Sequence, residues 1–241
     1  MMTRSAATQH IGIVACSAEG AALCYRTICL EGEALLGPHL HPEVSLHNHS
    51  LGEYMKFVRE GNWEGVAGLM LSSAHKLAKA GADFLICPDN TVHQAMHLVT
   101  PKSPLLWLHI AEEVAREAGA RGFRKVGITG TKYLVDSQIY PRKLEAVGIE
   151  FLRPTAVERD RMDQIIFDEL VHGVFSTASF AYFQQVIARM KREGCDAVVL
   201  GCTEIPLLIN ETTSPLPTLD STRLLARAAL KRAVIRNAAT T

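Results

Sequence analysis

In Ala197-Val198-Val199-Leu200-Gly201-Cys202-Thr203-Glu204-Ile205-Pro206 an apolar run of strand length stops at a glycine, and a thiol, a hydroxyl and a carboxylate follow. Uninterrupted apolar runs of this length suit parallel strands covered on both faces. In open α/β sheets ligands bind beyond the carboxyl ends of the strands. Cys202 therefore stands where such folds do their chemistry. A partial echo occurs earlier, in Asp83-Phe84-Leu85-Ile86-Cys87-Pro88-Asp89-Asn90-Thr91.

Working outward, the sequence alternates strand-like and helix-like segments. His10–Cys16 reads as a strand and Ala21–Leu36 as a helix, with Ser17 in the short loop between them. Glu43–Asn48 is a second strand, and Leu51–Glu60 and Trp63–Ala80 are helices separated by Gly61-Asn62. Asn90 and Thr91 can cap a helix through Gln94 to Val99. After Leu105–Leu108 and a helix from Ile110 the grammar repeats. Lys125–Thr129 is a strand, followed by a helix to about Val147, a strand Ile149–Arg153, and helices Asp160–His172 and Ala178–Arg192. The opening stretch comes next, then a strand Leu216–Leu219 and a helix Ser221–Ile235. Alternation of this kind predicts an α/β protein with mainly parallel sheets flanked by helices. The paired strand-end loops predict two pseudo-symmetric lobes, 1–103 plus 207–241 and 104–206, with the active site in the cleft between them.

Bulk properties narrow the function. Of 241 residues, 48% are hydrophobic and 21% charged, with a formal net charge of zero, which suits an ordinary globular protein and gives nucleic acid no basic patch. Met1–His10 has no apolar signal-peptide core and no run is long enough to span a bilayer, so the chain is expected to be cytoplasmic, with no membrane partner. Its six cysteines are then expected to be reduced. The first strand-to-helix loop, Ala15 to Gly20, holds one glycine and lacks the spaced glycines of a dinucleotide site. His39/His41 and His47/His49 form His-x-His pairs, but no acidic residue completes a ligand motif, and no metal is expected.

If the lobes face each other, Ser17, Asn90, Thr91, Thr131 and Thr203 bring hydroxyls and backbone N–H groups to one cleft. Such donors neutralise a small carboxylate ligand without a metal. Opposite walls would carry Cys202 and a group from the Cys87–Asp89 segment. A carboxylate cradle between two acid/base groups can invert a stereocentre, one group taking the α-proton while the other protonates the far face. A thiol suits the task, since its ordinary pKa of about 8.5 can be tuned by its surroundings.

Ile11-Gly12-Ile13-Val14, Gly81-Ala82-Asp83-Phe84, Asn90-Thr91-Val92-His93, Val126-Gly127-Ile128-Thr129-Gly130-Thr131 and Gly201-Cys202-Thr203-Glu204-Ile205-Pro206 together resemble the aspartate/glutamate racemase superfamily. The resemblance implies a cofactor-independent amino-acid racemase with two pseudo-symmetric lobes, acting on aspartate or glutamate, and by analogy a homodimer. It implies that Cys202 is one acid/base group. Where the family usually has a second Cys before Asn-Thr this chain has Asp89, with Cys87 two residues earlier as the alternative. It also implies a cation for the distal carboxylate, for which Lys132 and His172 are the candidates. An Asp carboxyl ordinarily titrates at about 3.9 and is a ready base but a poor acid at neutral pH. Unequal rates in the two directions are therefore expected. A single-thiol lyase or decarboxylase of the same fold, or a carboxylate-binding protein without turnover, are the alternative readings.

Overall fold

The computed structural model describes residues 8–234. It divides into two compact units. One runs up to Pro88 and takes in Ala95–Leu108 and the chain from Leu225, and the other comprises Asp89–Gln94 and His109–Leu224.

The first unit contains β1 (Ile11–Ala15), α1 (Ala18–Leu36), β2 (Val44–Asn48), α2 (Leu51–Glu60), α3 (Trp63–Lys79), β3 (Phe84–Ile86), α4 (Met96–Val99) and β4 (Leu106–Trp107). Its sheet has the order β2-β1-β3-β4 with every pair parallel. The second contains α5 (Ile110–Ala120), β5 (Lys125–Thr129), α6 (Lys132–Val135), α7 (Ile139–Glu145), β6 (Glu150–Leu152), α8 (Ala156–Asp168), α9 (Thr177–Arg192), β7 (Ala197–Leu200), α10 (Ile205–Leu208) and β8 (Thr218–Asp220). Its order, β6-β5-β7-β8, repeats the first, again wholly parallel. The final helix, α11 (Ser221–Val234), follows β8 directly.

The same device sets the register of the central strands in both sheets. His10 N–H donates to Asp83 Oδ2 at 2.6 Å while Asp83 N–H donates to the His10 carbonyl at 2.8 Å. In the second unit Arg124 N–H donates to Asp196 Oδ2 at 2.8 Å and Asp196 N–H to the Lys125 carbonyl at 2.9 Å. One carboxylate thus occupies backbone donors that the ladder leaves unpaired at the strand's start.

β7 shows why its sequence is apolar throughout. Val198 and Leu200 pack with Met162, Ile165 and Ile166 of α8 and Phe183, Val186 and Ile187 of α9. Ala197 and Val199 point the other way, into a cluster with Val114 of α5 and Tyr140 and Leu144 of α7. All four are buried, and each larger side chain so covered contributes about 1.5–3 kcal/mol. At the strand's end the backbone of Gly201 lies against β5. Its N–H donates to the Thr129 carbonyl at 3.0 Å, and a Cβ there would stand 2.5 Å from that oxygen and 2.5 Å from Leu134 Cδ2. Only glycine permits the approach.

Several expectations are revised. The division at residues 103 and 206 differs from the observed units, because β8 pairs with β7 through Val198–Thr218, Val199–Leu219 and Leu200–Asp220 and so keeps 207–224 with the second sheet. The helix expected to run to Val147 is two helices. Ser137 Oγ donates to the Leu134 carbonyl at 2.7 Å and accepts Ile139 N–H at 3.2 Å, closing α6 and starting α7. The helix expected from Asp160 begins at Ala156, since Thr155 and Glu158 form a capping box, and it ends at Asp168 before a short 3-10 turn, Leu170–His172. The helix expected through Val99 opens as a 3-10 turn, Thr91–Ala95, before α4. Ile235, the expected end of the last helix, lies outside the described residues.

Gly201→Ala is expected to lower stability by about 1–3 kcal/mol, read as a fall in the urea midpoint. Gly68→Ala, on the exposed side of α3 with nothing within 4 Å of the added Cβ, should instead raise it by up to about 1 kcal/mol. Equal midpoints for the two variants would contradict the close approach at Gly201.

Candidate active site

In the second sheet the strand order reverses between β5 and β7, and ligands of such sheets bind outside the carboxyl ends at that point. The segments leaving those two ends carry Thr131 and Lys132, and Cys202, Thr203 and Glu204. The Asp89–Gln94 segment belongs to the same unit. It is anchored there by Gln94 Nε2, which donates to the Tyr133 carbonyl at 3.1 Å, and by Thr91 Oγ1, 3.4 Å from Thr131 Oγ1. The ring of His93 meets that of His109 edge-on at 4.5 Å. Burial and the nearby Lys143 ammonium depress the His109 pKa to about 4, so the imidazole is neutral and its Nδ1 accepts Ala111 N–H at 3.2 Å, capping α5.

Cys202 is partly exposed and its Sγ donates to Glu204 Oε2 at 2.9 Å. Thr203 Oγ1 donates to the same oxygen at 2.8 Å. Burial pushes the thiol well above its ordinary value, and the carboxylates of Glu204 and Asp89 push it further, against a backbone hydrogen bond from Glu204. A thiol in negative surroundings stays protonated, so at neutral pH Cys202 is a proton donor at rest. The charge of Asp89 is thus felt at the thiol. Asp89 itself is half-buried, and its Oδ1 accepts Val92 N–H at 3.4 Å, a long N-terminal cap on the 3-10 turn.

The other residues singled out from the sequence fall in different places. Thr131 is buried and caps α6, accepting Leu134 N–H at 3.4 Å. Asn90 is 3% exposed and both ends of its carboxamide are engaged inside the fold: Oδ1 accepts from Tyr140 Oη at 2.6 Å, and Nδ2 donates to Ser221 Oγ at 3.0 Å. Its side chain is therefore committed to structure. Lys132 is answered by Asp163 of α8, with Nζ 3.4 Å from Oδ2 and the backbone N–H donating to Oδ1 at 2.9 Å. His172 is exposed at the end of the 3-10 turn and is not drawn to this group by any side-chain bond. Ser17 belongs to the first unit, where it caps α1 by accepting Gly20 N–H at 3.2 Å. Cys87 also lies in the first unit and is fully buried. Among the histidine pairs, His47 is hydrogen-bonded to Ser73 at 2.9 Å and Lys76 at 2.9 Å, and His49 to Ser72 at 3.1 Å.

Glu204 has no role assigned to it in the sequence motif, although its two-residue offset from Cys202 across a tight turn is visible there. Asp163, Tyr140 and Ser221 carried no local signal.

With this geometry in view, comparison places the chain. The Asp/Glu/Hydantoin racemase family matches residues 11–229, and the chain belongs to that family. The crystal structure of a Yersinia pestis protein assigned to the Asp/Glu racemases superposes with a TM-score of 0.86 at 30% identity, covering 94% of this chain and all of that one (100%). An aspartate racemase homologue from Pyrococcus horikoshii OT3 gives a TM-score of 0.82 at 26% identity, over 94% of this chain and 100% of that one. The broad specificity amino-acid racemase RacX of Bacillus subtilis is 25% identical over 161 residues, 66% of this chain and 68% of that one.

Alkylation by iodoacetamide, followed residue by residue with peptide mass mapping, should show Cys202 reacting with a pH midpoint above the ordinary thiol value of about 8.5. Removing the neighbouring charge with Glu204→Gln should move the midpoint down. A midpoint at or below the ordinary value in the unaltered protein would contradict the environment described.

Proposed function

We propose that this protein racemises an amino acid without a cofactor, by two-base transfer of the α-proton, with Asp89 and Cys202 acting on opposite faces of the substrate. The observation that carries this reading is the placement of Cys202, just past the end of β7 where the strand order reverses, with Sγ donating to Glu204 Oε2 at 2.9 Å. Burial and the carboxylates of Glu204 and Asp89 keep that thiol protonated. In one direction the Asp89 carboxylate removes the α-proton and the C–H electron pair passes into the substrate's carboxylate as an enolate. Cys202 then delivers its proton to the far face, forming the new C–H bond. The enzyme is left as a carboxylic acid and a thiolate, the form that acts on the opposite enantiomer, and exchange with solvent resets it. Glu204, accepting from Sγ at 2.9 Å, disfavours a resting thiolate. Cys87 is the weaker partner because it is fully buried. Backbone N–H groups and the hydroxyls of Thr91 and Thr131 would hold the substrate carboxylate. The homodimer and the cytoplasmic location belong to the same proposal.

An acidic substrate, aspartate or glutamate, is the family's reading. One observation favours a second substrate class. Lys132, the cation proposed for a distal carboxylate, is already paired with Asp163, so an acidic side chain would have to displace a partner held by two contacts. A neutral side chain needs no such exchange. The relative RacX is itself described as having broad specificity.

Chiral chromatography of a panel of acidic and neutral amino acids, each offered as either enantiomer, tests the activity. Conversion in both directions is expected, and Cys202→Ala and Asp89→Asn should each lower it by about 10²-fold or more. If no amino acid racemises between pH 6 and 9, the reading fails. Asp163→Asn should raise kcat/KM for aspartate and glutamate relative to neutral amino acids, because it releases Lys132. An unchanged ratio would remove Lys132 from the specificity site.

A further inference from the structure

A wholly buried chain of hydrogen bonds with one possible polarity ties Asn90, the neighbour of Asp89, to Leu200, two residues before Cys202. It starts at the carbonyl of Leu200, the last residue of β7 and two before Cys202. That oxygen can only accept, and Ser221 Oγ donates to it at 2.9 Å. A serine hydroxyl has one proton to give. Ser221 must therefore accept from its next neighbour, and Asn90 Nδ2 donates to it at 3.0 Å. With its nitrogen so placed, the Asn90 carboxamide turns its oxygen to Tyr140 Oη, which donates at 2.6 Å. Burial pushes the Tyr140 phenol well above its ordinary range, with the Asp220 carboxylate adding to the rise and Ser221 opposing it, so the donor is never lost. Tyr140 is 1% exposed, Asn90 3% and Ser221 0%, so water does not compete for these bonds.

The partners come from elements far apart in sequence, 50 residues for Tyr140–Asn90 and 131 for Asn90–Ser221. Residues 89–94 follow the first unit's β3 yet pack with the second. Neither Thr91, 3.4 Å from Thr131, nor the long cap from Asp89 holds that segment as firmly. Asn90 is the immediate neighbour of Asp89. A carboxamide flip or a lateral slip of Asn90 would break two buried bonds, each costing the desolvation of an unpaired polar group.

We infer that Tyr140 and Ser221 are positioning residues which, through the Asn90 carboxamide, fix the Asp89 carboxylate relative to the strand end that carries Cys202. This role rests on the racemase reading above. Proton transfer at carbon tolerates little error in distance, and a displacement of about 1 Å can cost 10²-fold in rate. The two residues touch neither the substrate nor the reacting atoms. Their loss therefore changes how well Asp89 is aimed, and with it the adjoining Thr91, while Thr131 and Cys202, which lie on other segments, are left in place.

The test compares Tyr140→Phe and Ser221→Ala with the unaltered protein on its best amino-acid substrate, with each enantiomer carrying hydrogen or deuterium at the α-carbon. Thermal unfolding is recorded alongside. Both variants should lose about 10- to 100-fold in kcat, with a smaller change in KM. The primary deuterium effect should rise for the enantiomer that Asp89 deprotonates and not for the other, because only the Asp89 transfer becomes slower. General loosening of the fold would not produce that one-sided change. If Tyr140→Phe does not fold, Ser221→Ala decides, since it breaks the same chain at its other end. The positioning role is overturned if kcat stays within about twofold, or if kcat falls with both isotope effects unchanged. If the unaltered protein racemises nothing, the racemase reading falls and this role with it. If the unaltered protein is active and the variants match it, the positioning role alone falls.

Discussion

One carboxamide, that of Asn90, sets the order of the second unit's active end. Its oxygen faces Tyr140 and its nitrogen faces Ser221, and the direction of both bonds is dictated by a backbone carbonyl that can only accept. A buried polar group is stable only when satisfied, so the chain of donors has one arrangement and little freedom to drift. The segment bearing Asp89 takes its place from that arrangement, and the segment bearing Cys202 takes its own from the close contact of Gly201 with Thr129. Both constraints end within two residues of a group that could move a proton.

The surrounding charges then separate the two groups in character. Cys202 sits among carboxylates, which raise its pKa and keep its proton. A carboxylate and a protonated thiol make an unlike pair, and unlike pairs divide acid and base duties without a metal to polarise the substrate. The equilibrium between enantiomers is one whatever the pair, so the asymmetry can appear only in how each direction divides between kcat and KM. On the proposed reading, the Lys132–Asp163 pair adds a second asymmetry, in the side chains that the site would accept.

Much of this was legible in the sequence, for physical reasons. The Ala197–Leu200 run can only be a strand covered on both faces, and Gly201 before Cys202 announces a tight exit from it. Ser17 and Thr131 stand two residues beyond the central strands, where the structure shows them capping α1 and α6. The break between α6 and α7 was not visible, since it depends on Ser137 bonding in two directions at once. Nor was the membership of β8, which is decided by pairing with β7 and not by order along the chain. Tyr140, Ser221 and Asp163 were silent because their partners lie in other elements. The sequence places Asn90 as a ligand-facing residue, and only its two tertiary partners reveal that the side chain is occupied.

The central claim is that two groups, on opposite faces, share the α-proton transfer. It is tested most directly by following one enantiomer in D₂O through the first few per cent of conversion. Two unlike bases require that the newly formed enantiomer carries deuterium at the α-carbon from the outset, while the remaining starting enantiomer keeps its hydrogen. Product formed with its original α-hydrogen, or deuterium entering the starting enantiomer as fast as the product, would mean that a single base serves both faces and would contradict the pairing of Asp89 with Cys202.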